Sequence, residues 1–316
     1  MPRCRASGVR PPHRRSSPHT WCRSSPDATT PLAPTSPIFP IARPNAITPR
    51  IARGIAPRTL LTGLLSILSL AILVLAWHFA VKYKLDFYIR FNNIPSPGAV
   101  FDDAASLIGN ARFQRHVGLS LRRIISGFTL AALVAIPLGL LLGRNRFARE
   151  LIFPALEILR PIPAIAWVPM SIMLWPSNEG SIIFITFLGS FFPILLNTIQ
   201  GVHVLDKVLV RAARSLGAGP LALFWHVVLP GALPHVFTGL TIGMGVAWVS
   251  LIAAEMISGQ FGIGYFTWEA YSLVRYSEIV LGMVVIGILG LLCSGAIRLV
   301  GNWLMPWVAR QNQEAN

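Results

Sequence analysis

The sequence predicts an all-α polytopic membrane protein with six transmembrane helices, and three observations carry that reading. Hydrophobic residues make up 53% of the 316 and charged residues only 12%, with a mean hydropathy of +0.60. A soluble domain of this length needs a more polar surface than that composition supplies. Apolar runs of membrane-crossing length recur after residue 58; about 20 helical residues, at roughly 1.5 Å each, cross the hydrocarbon layer of a bilayer. One stretch between those runs, 203–230, has helical periodicity but is too polar to cross.

The elements follow in chain order. Residues 1–58 hold ten Arg, one Asp and twelve of the 25 prolines, and carry +9 of the net +15. Apolar periodicity is missing, so a disordered basic tail is expected. It has no apolar core of a secretory signal. Its Arg/Ser richness resembles an organellar transit peptide, but an unusual or misassigned start of a bacterial membrane protein is the preferred reading. Arginines scattered among prolines do not form a nucleic-acid footprint, and no nucleic-acid partner is expected.

Residues 59–82 read as the first span, built on Leu60 to Val81, with Trp77 and Tyr83 at its far interface. Residues 83–116 read as a periplasmic segment with an Ile94-Pro95-Ser96-Pro97 turn and a short amphipathic helix near 98–109. The second span is placed at 119–142, with Arg122 and Arg123 near its start expected to snorkel toward water. The third, 151–174, is expected to be broken by Pro161, Pro163 and Pro169. The fourth, fifth and sixth are placed at 180–199, 233–257 and 279–304. Gly139-x-x-x-Gly143 and Gly239-x-x-x-Gly243 read as close helix contacts. Five spans thus fall within one membrane domain at 117–307, followed by a C-terminal tail at 308–316.

Short-loop charge sets the expected orientation. The 143–150 and 203–230 loops carry three Lys or Arg each, the 175–180 loop none and the 258–278 loop Arg275 only. That puts both termini and the 203–230 segment in the cytoplasm of a multi-pass protein of the bacterial inner membrane. The five basic residues between 82 and 116 disagree and are outvoted.

Within 203–230, Leu205, Val208, Ala212 and Leu216 share one helical face, and Lys207, Arg211 and Arg214 the other. Gly217 is expected to turn the chain at positive φ, with Pro220 opening a second short helix from Leu221 to Val228 that ends near Pro230. Taken alone, the pattern also fits a helix lying among lipid headgroups.

The chain lacks a phosphate-binding G-x-x-x-x-G-K-[ST] loop, a G-x-S-x-G elbow and an H-E-x-x-H or C-x-x-C pair. No catalytic residue, metal site or cofactor is expected, and ATP hydrolysis by this chain is excluded. Polar residues inside spans are the remaining candidates for chemistry. Glu255, Ser250, Thr241 and Asn197 are candidate path or gate residues, and each also has a structural reading as an interhelical hydrogen bonder. For Glu255 the structural reading comes first, because a bare carboxylate serves an anion path poorly. Glu157 and Arg160, at i, i+3, are expected to pair. Two other classes stand as rivals: a polytopic membrane enzyme, which needs clustered His, Asp or Ser that the sequence lacks, and a membrane scaffold or sensor; copurification of an ATPase would argue against both.

Arg211-Ala212-Ala213, three residues, Gly217, nine residues, then Val227-x-Leu229-Pro230 resembles the "EAA" signature of bacterial ABC importer permeases. The departure is Arg211, where that signature has Glu. The run Leu159 to Pro169, Ala253-Ala254-Glu255-Met256 and Gly262-Ile263-Gly264 resemble the nitrate/sulfonate/bicarbonate branch. Phe266 to Tyr271 and Ser277-Glu278-Ile279 lean toward its nitrate-type members. The likeness spans about 95 to 307. It implies a type I importer permease, expected as a homodimer in membrane lipid with two cytoplasmic ATPase subunits and a periplasmic binding protein. The 203–230 segment would be its coupling helix, reaching the ATPase through Arg211, Ala212, Ala213, Gly217, Val227, Leu229 and Pro230. The cargo would be a small anion, nitrate or an organosulfonate such as taurine.

Overall fold

A computed structural model of the chain describes residues 57–83 and 94–307, with side chains from residue 63 onward. The tail at 308–316 and nearly all of the 1–58 tail lie outside the described residues. All described helices belong to a unit running from Pro57 to Asn316.

Helix α1 (Pro57–Lys82) realises the first apolar run. Its leucines and isoleucines from Leu64 onward stay exposed, so that apolar surface is left to lipid or another chain. Helix α2 (Pro97–Ile108) starts where Ser96 accepts a hydrogen bond from the Ala99 N–H at 3.3 Å, with Pro97 at the first helical position. Helix α3 (Ala111–Arg144) begins eight residues before the expected start of the second span, capped by Asn110. Its 34 residues extend about 51 Å at 1.5 Å each, well beyond a bilayer core.

Asn145 ends α3 and starts α4 (Arg146–Leu159), its side chain accepting from the Phe147 N–H at 3.0 Å. The third span is broken as expected. A short 3₁₀ turn (Ala164–Trp167) and α5 (Val168–Leu174) follow α4 at a bend of 83°. Pro161 and Pro163 sit in the break, where neither supplies an N–H to continue the helix, and Pro163 itself is extended at φ −63°, ψ 141°. Pro169 sits in the first turn of α5, where a missing N–H costs nothing. Among the described residues, five helices are long and apolar enough to cross a membrane, and this bent pair makes six when it counts as one span.

Helix α6 (Asn178–His203) is the centre of the bundle, between α3 and α9 (Leu229–Ser258). Its Ile182, Ile185, Ile194 and Leu195 are fully buried. Glycines let the flanking helices approach. A Cβ at Gly139 or Gly143 would lie 2.7 Å from Thr198 or Val202 of α6, and one at Gly239 or Gly243 would lie 2.7 Å from Asn197 or 2.9 Å from Ile194. Both G-x-x-x-G contacts are thus formed.

The 203–230 stretch departs from expectation in its second half. Helix α7 (Lys207–Ser215) is capped by Asp206, and Gly217 turns the chain at φ +82°. Helix α8 (Pro220–Leu223) does not end near Pro230: a π-helical turn (Phe224–Val228) carries it straight into α9. In that turn the Leu229 N–H bonds the Phe224 carbonyl, five residues back. The wider turn brings Pro230 into the first turn of α9, where a missing N–H is tolerated. The 258–278 loop also gains structure, folding as α10 (Ile263–Ser272) before α11 (Tyr276–Leu304).

Candidate coupling surface and translocation cavity

Two regions gather most of the residues singled out in the sequence. The first is the α7–α8 turn. Ala213 accepts the Ala218 N–H at 3.1 Å and Arg214 the Gly217 N–H at 3.0 Å, closing the end of α7 around Gly217. A Cβ at Gly217 would meet no neighbour, so its backbone conformation, not crowding, calls for glycine. Arg211 and Ala212 are exposed, and Arg211 Nε reaches only the Lys207 carbonyl, at 3.3 Å. The apolar face of α7 stays uncovered: Val208 and Leu216 are exposed, as are Leu221 and Trp225 beyond the turn. Val227, Leu229 and Pro230 lie on the other side, half-buried where the π turn enters α9. The turn therefore offers an apolar face with Lys207, Arg211 and Arg214 on the opposite side of α7, joined without a break to a membrane-crossing helix.

The second region is a cavity of about 600 Å³ between the 160–165 break, α6 and α9. Asn197 and Ser250 both line it, together with Arg160, Phe192, Pro193 and Val249. Asn197 Nδ2 donates to the Pro193 carbonyl at 2.8 Å, a bond that holds its amide at the wall. Thr241 is not among the lining residues; its hydroxyl donates to the Phe237 carbonyl at 2.9 Å.

Glu255 is also away from this cavity. It is fully buried, and its Oε1 accepts from Arg123 Nη1 at 2.9 Å and Ser120 Oγ at 2.8 Å, while Oε2 accepts from the Gly264 N–H at 3.0 Å. Arg123 also grips Glu179 at the start of α6 and donates to the Phe261 carbonyl at 2.5 Å. It is 3% exposed and does not snorkel. Two carboxylates and three elements hold its guanidinium more strongly than the interface would. His116 Nδ1 accepts from the Gly262 N–H at 3.0 Å and Ser120 Oγ from the Ile263 N–H at 2.9 Å, so the network pins the α9–α10 turn onto α3. Gly262, at φ +129°, has no room for a side chain, since a Cβ would fall on the Glu255 carboxylate.

Glu157 and Arg160 do not pair; among the described residues no carboxylate lies within ion-pair distance of Arg160. Helix α4 ends at Leu159, and Arg160 turns toward α6 and the cavity. Sequence reading missed Arg160 as a wall residue because Glu157 offered a nearer partner.

Residues 135–311 match the family of binding-protein-dependent transport system inner membrane components. The nitrate import permease of Synechocystis sp. is 32% identical over 247 residues, covering 75% of this chain and 88% of that protein. The taurine transport system permease of Escherichia coli is 33% identical over 248 residues, covering 77% and 89%. The bicarbonate transport system permease of Synechococcus elongatus is 40% identical over 192 residues, covering 60% and 68%. These relatives are transport components, not enzymes, and the all-helical bundle with its bent third span agrees with that role. The chain belongs to the family of inner membrane components of binding-protein-dependent transport systems and is an ABC importer permease.

Proposed function

We propose that this permease carries a small anion into the cytoplasm through the α6-walled cavity, driven by ATP hydrolysis in a partner bound at the α7–α8 turn. The observation that carries the reading is continuity. An exposed apolar turn runs through a π-helical junction into α9, and α9 forms part of the cavity wall with Ser250. A push on the turn is therefore a push on the wall. ATP-driven closure of the partner biases the helices between two arrangements of the cavity, open to one side or the other.

Arg211, Ala212, Ala213 and Gly217 are the residues assigned to the partner's cleft, with Val227, Leu229 and Pro230 fixing the junction. Two copies of the permease and two ATPase subunits make the working assembly. The cavity is bordered by exposed Ile165, Ile242 and Val249, which a second copy would cover. The bundle end that carries α7 faces the cytoplasm, with both chain termini, and a periplasmic binding protein docks at the α10 end. Nitrate, taurine and bicarbonate, the cargoes in the names of the relatives, share small size and acidic oxygens and define the candidate set. Asn197 and Ser250 are the path residues; Glu255 serves the scaffold.

The test is reconstitution of the permease with the ATPase that copurifies with it and its binding protein. ATP-dependent uptake of one of the three anions, with hydrolysis stimulated by the loaded binding protein, is expected. No copurifying ATPase and no uptake of any of them would contradict the proposal.

A further inference from the structure

A second cavity, of about 350 Å³, shares Arg160, Leu196 and Asn197 with the first and extends along the groove between α4 and α6 toward the α7 end. Its wall carries Arg149, Phe153, Gln200 and His203. The arrangement is periodic on both sides. At 100° per residue, Arg149 and Phe153 of α4 and Arg160, the helical residue that caps it, fall within about 40° of one another. Asn197, Gln200 and His203 follow one another at i, i+3 and i+6 on α6. Arg149 and Arg160 are 11 residues apart, or roughly 16 Å along a helix.

Electrostatically the groove has one sign. Among the described residues no carboxylate lines either cavity. Glu150 is held by Arg146 at 2.7 Å, and Glu157 is on neither wall. The Arg149 guanidinium donates to His203 Nε2 at 3.3 Å and lies over the Phe153 ring at 5.8 Å. An arginine always donates, so His203 accepts through Nε2 and carries its ring proton on Nδ1. Arg160 has no such partner.

We propose that this groove is a two-station vestibule for an oxyanion on its way out of the translocation cavity. Arg160 with Asn197 forms the inner station, and Arg149 with Gln200 and His203 the outer one. The guanidinium fork offers paired N–H donors that match two oxygens of one acid group, so nitrate, a sulfonate and bicarbonate all fit. A cation is repelled, and a halide uses the donors one at a time. Two weak stations suit release better than one strong site, since transit requires that each station let go. The inference rests on the α6-walled cavity being the path.

The test uses Gln200→Cys in the assembled complex, with Cys4, Cys22 and Cys293 replaced by Ser. Its modification by a negatively charged and a positively charged methanethiosulfonate reagent is compared, each rate divided by that for a free thiol. A groove that concentrates anions makes the anionic reagent faster on the order of tenfold. Nitrate should slow it more than chloride does at equal ionic strength. Arg160→Gln with Arg149→Gln should bring the two rates to near parity, and Arg160→Lys should restore part of the difference. A cationic reagent that reacts as fast as the anionic one, or a ratio unmoved by the arginine variants, would overturn the vestibule. Uptake after labelling separates the two readings. Blocked uptake with equal rates leaves the path standing without the vestibule, whereas uptake unaffected by labelling removes the path, and the vestibule with it.

Discussion

At Glu255 the chain buries a full negative charge among membrane-crossing helices. Desolvating each ion costs several kcal/mol, and only complete pairing offsets it. Pairing here is complete: Arg123, Ser120 and the Gly264 N–H account for both carboxylate oxygens. Glu255→Gln should leave Arg123 short of one partner and lower stability by about 3 kcal/mol or more, read as earlier unfolding of the detergent-solubilised protein. The ratio of anion to anion in uptake should not change in the fraction that folds. Normal stability with an altered cargo ratio would put Glu255 in the path instead. Val274 gives a second residue-scale prediction. It turns the chain between α10 and α11 at φ 58°, is 61% exposed, and is the one non-glycine at positive φ among the described residues. A β-branched residue there is strained. Val274→Asn should raise stability by about 1 kcal/mol, and an unchanged or lower unfolding temperature would deny that strain. Neither feature could be read in the sequence. Arg123 and Glu255 are 132 positions apart, Arg123 looked like a residue at the water interface, and nothing local marks position 274 as left-handed.

Among the elements, the apolar runs were legible because lipid leaves a spanning segment few options: it must be long, apolar and helical. The prolines marked the broken third span for the same reason. Legibility failed where a helix continued through proline. Pro230 looked like a stop, but the π-helical turn before it lets α8 and α9 run together. It failed again at α10, because ten residues between two spans carry no length signal. The two ends of the bundle yield a direct test of orientation. A cysteine at Ser177, the cap of α6, should react with an impermeant thiol reagent from the periplasm, and one at Ser215, the last residue of α7, should not. The reverse pattern would overturn the orientation taken from loop charge.

For the molecule as a whole, α6 is the fixed centre, while α1 and most of α11 bury little within the chain. That asymmetry leaves the apolar faces of α1 and α11 to lipid or to another chain. The cavity residues were half legible. Asn197 and Ser250 stood out as polar residues within spans, but Arg160, Gln200 and His203 did not, because only packing aligns α4 with α6. The central claim is mechanical: the turn at Gly217 transmits a partner's ATP cycle to that cavity. Gly217 sits at φ +82°, and valine there costs on the order of 1–3 kcal/mol and shifts the turn. Ala213→Glu should block docking by bulk, while Arg211→Glu, at an exposed position, should be tolerated far better. The direct measurement is uptake and hydrolysis recorded together in proteoliposomes of the reconstituted complex, for the unaltered chain and for these three variants. Gly217→Val and Ala213→Glu are predicted to insert normally yet lose ATPase binding and substrate-stimulated hydrolysis, with uptake lost in step. Normal coupling of hydrolysis to uptake in Gly217→Val would contradict the account.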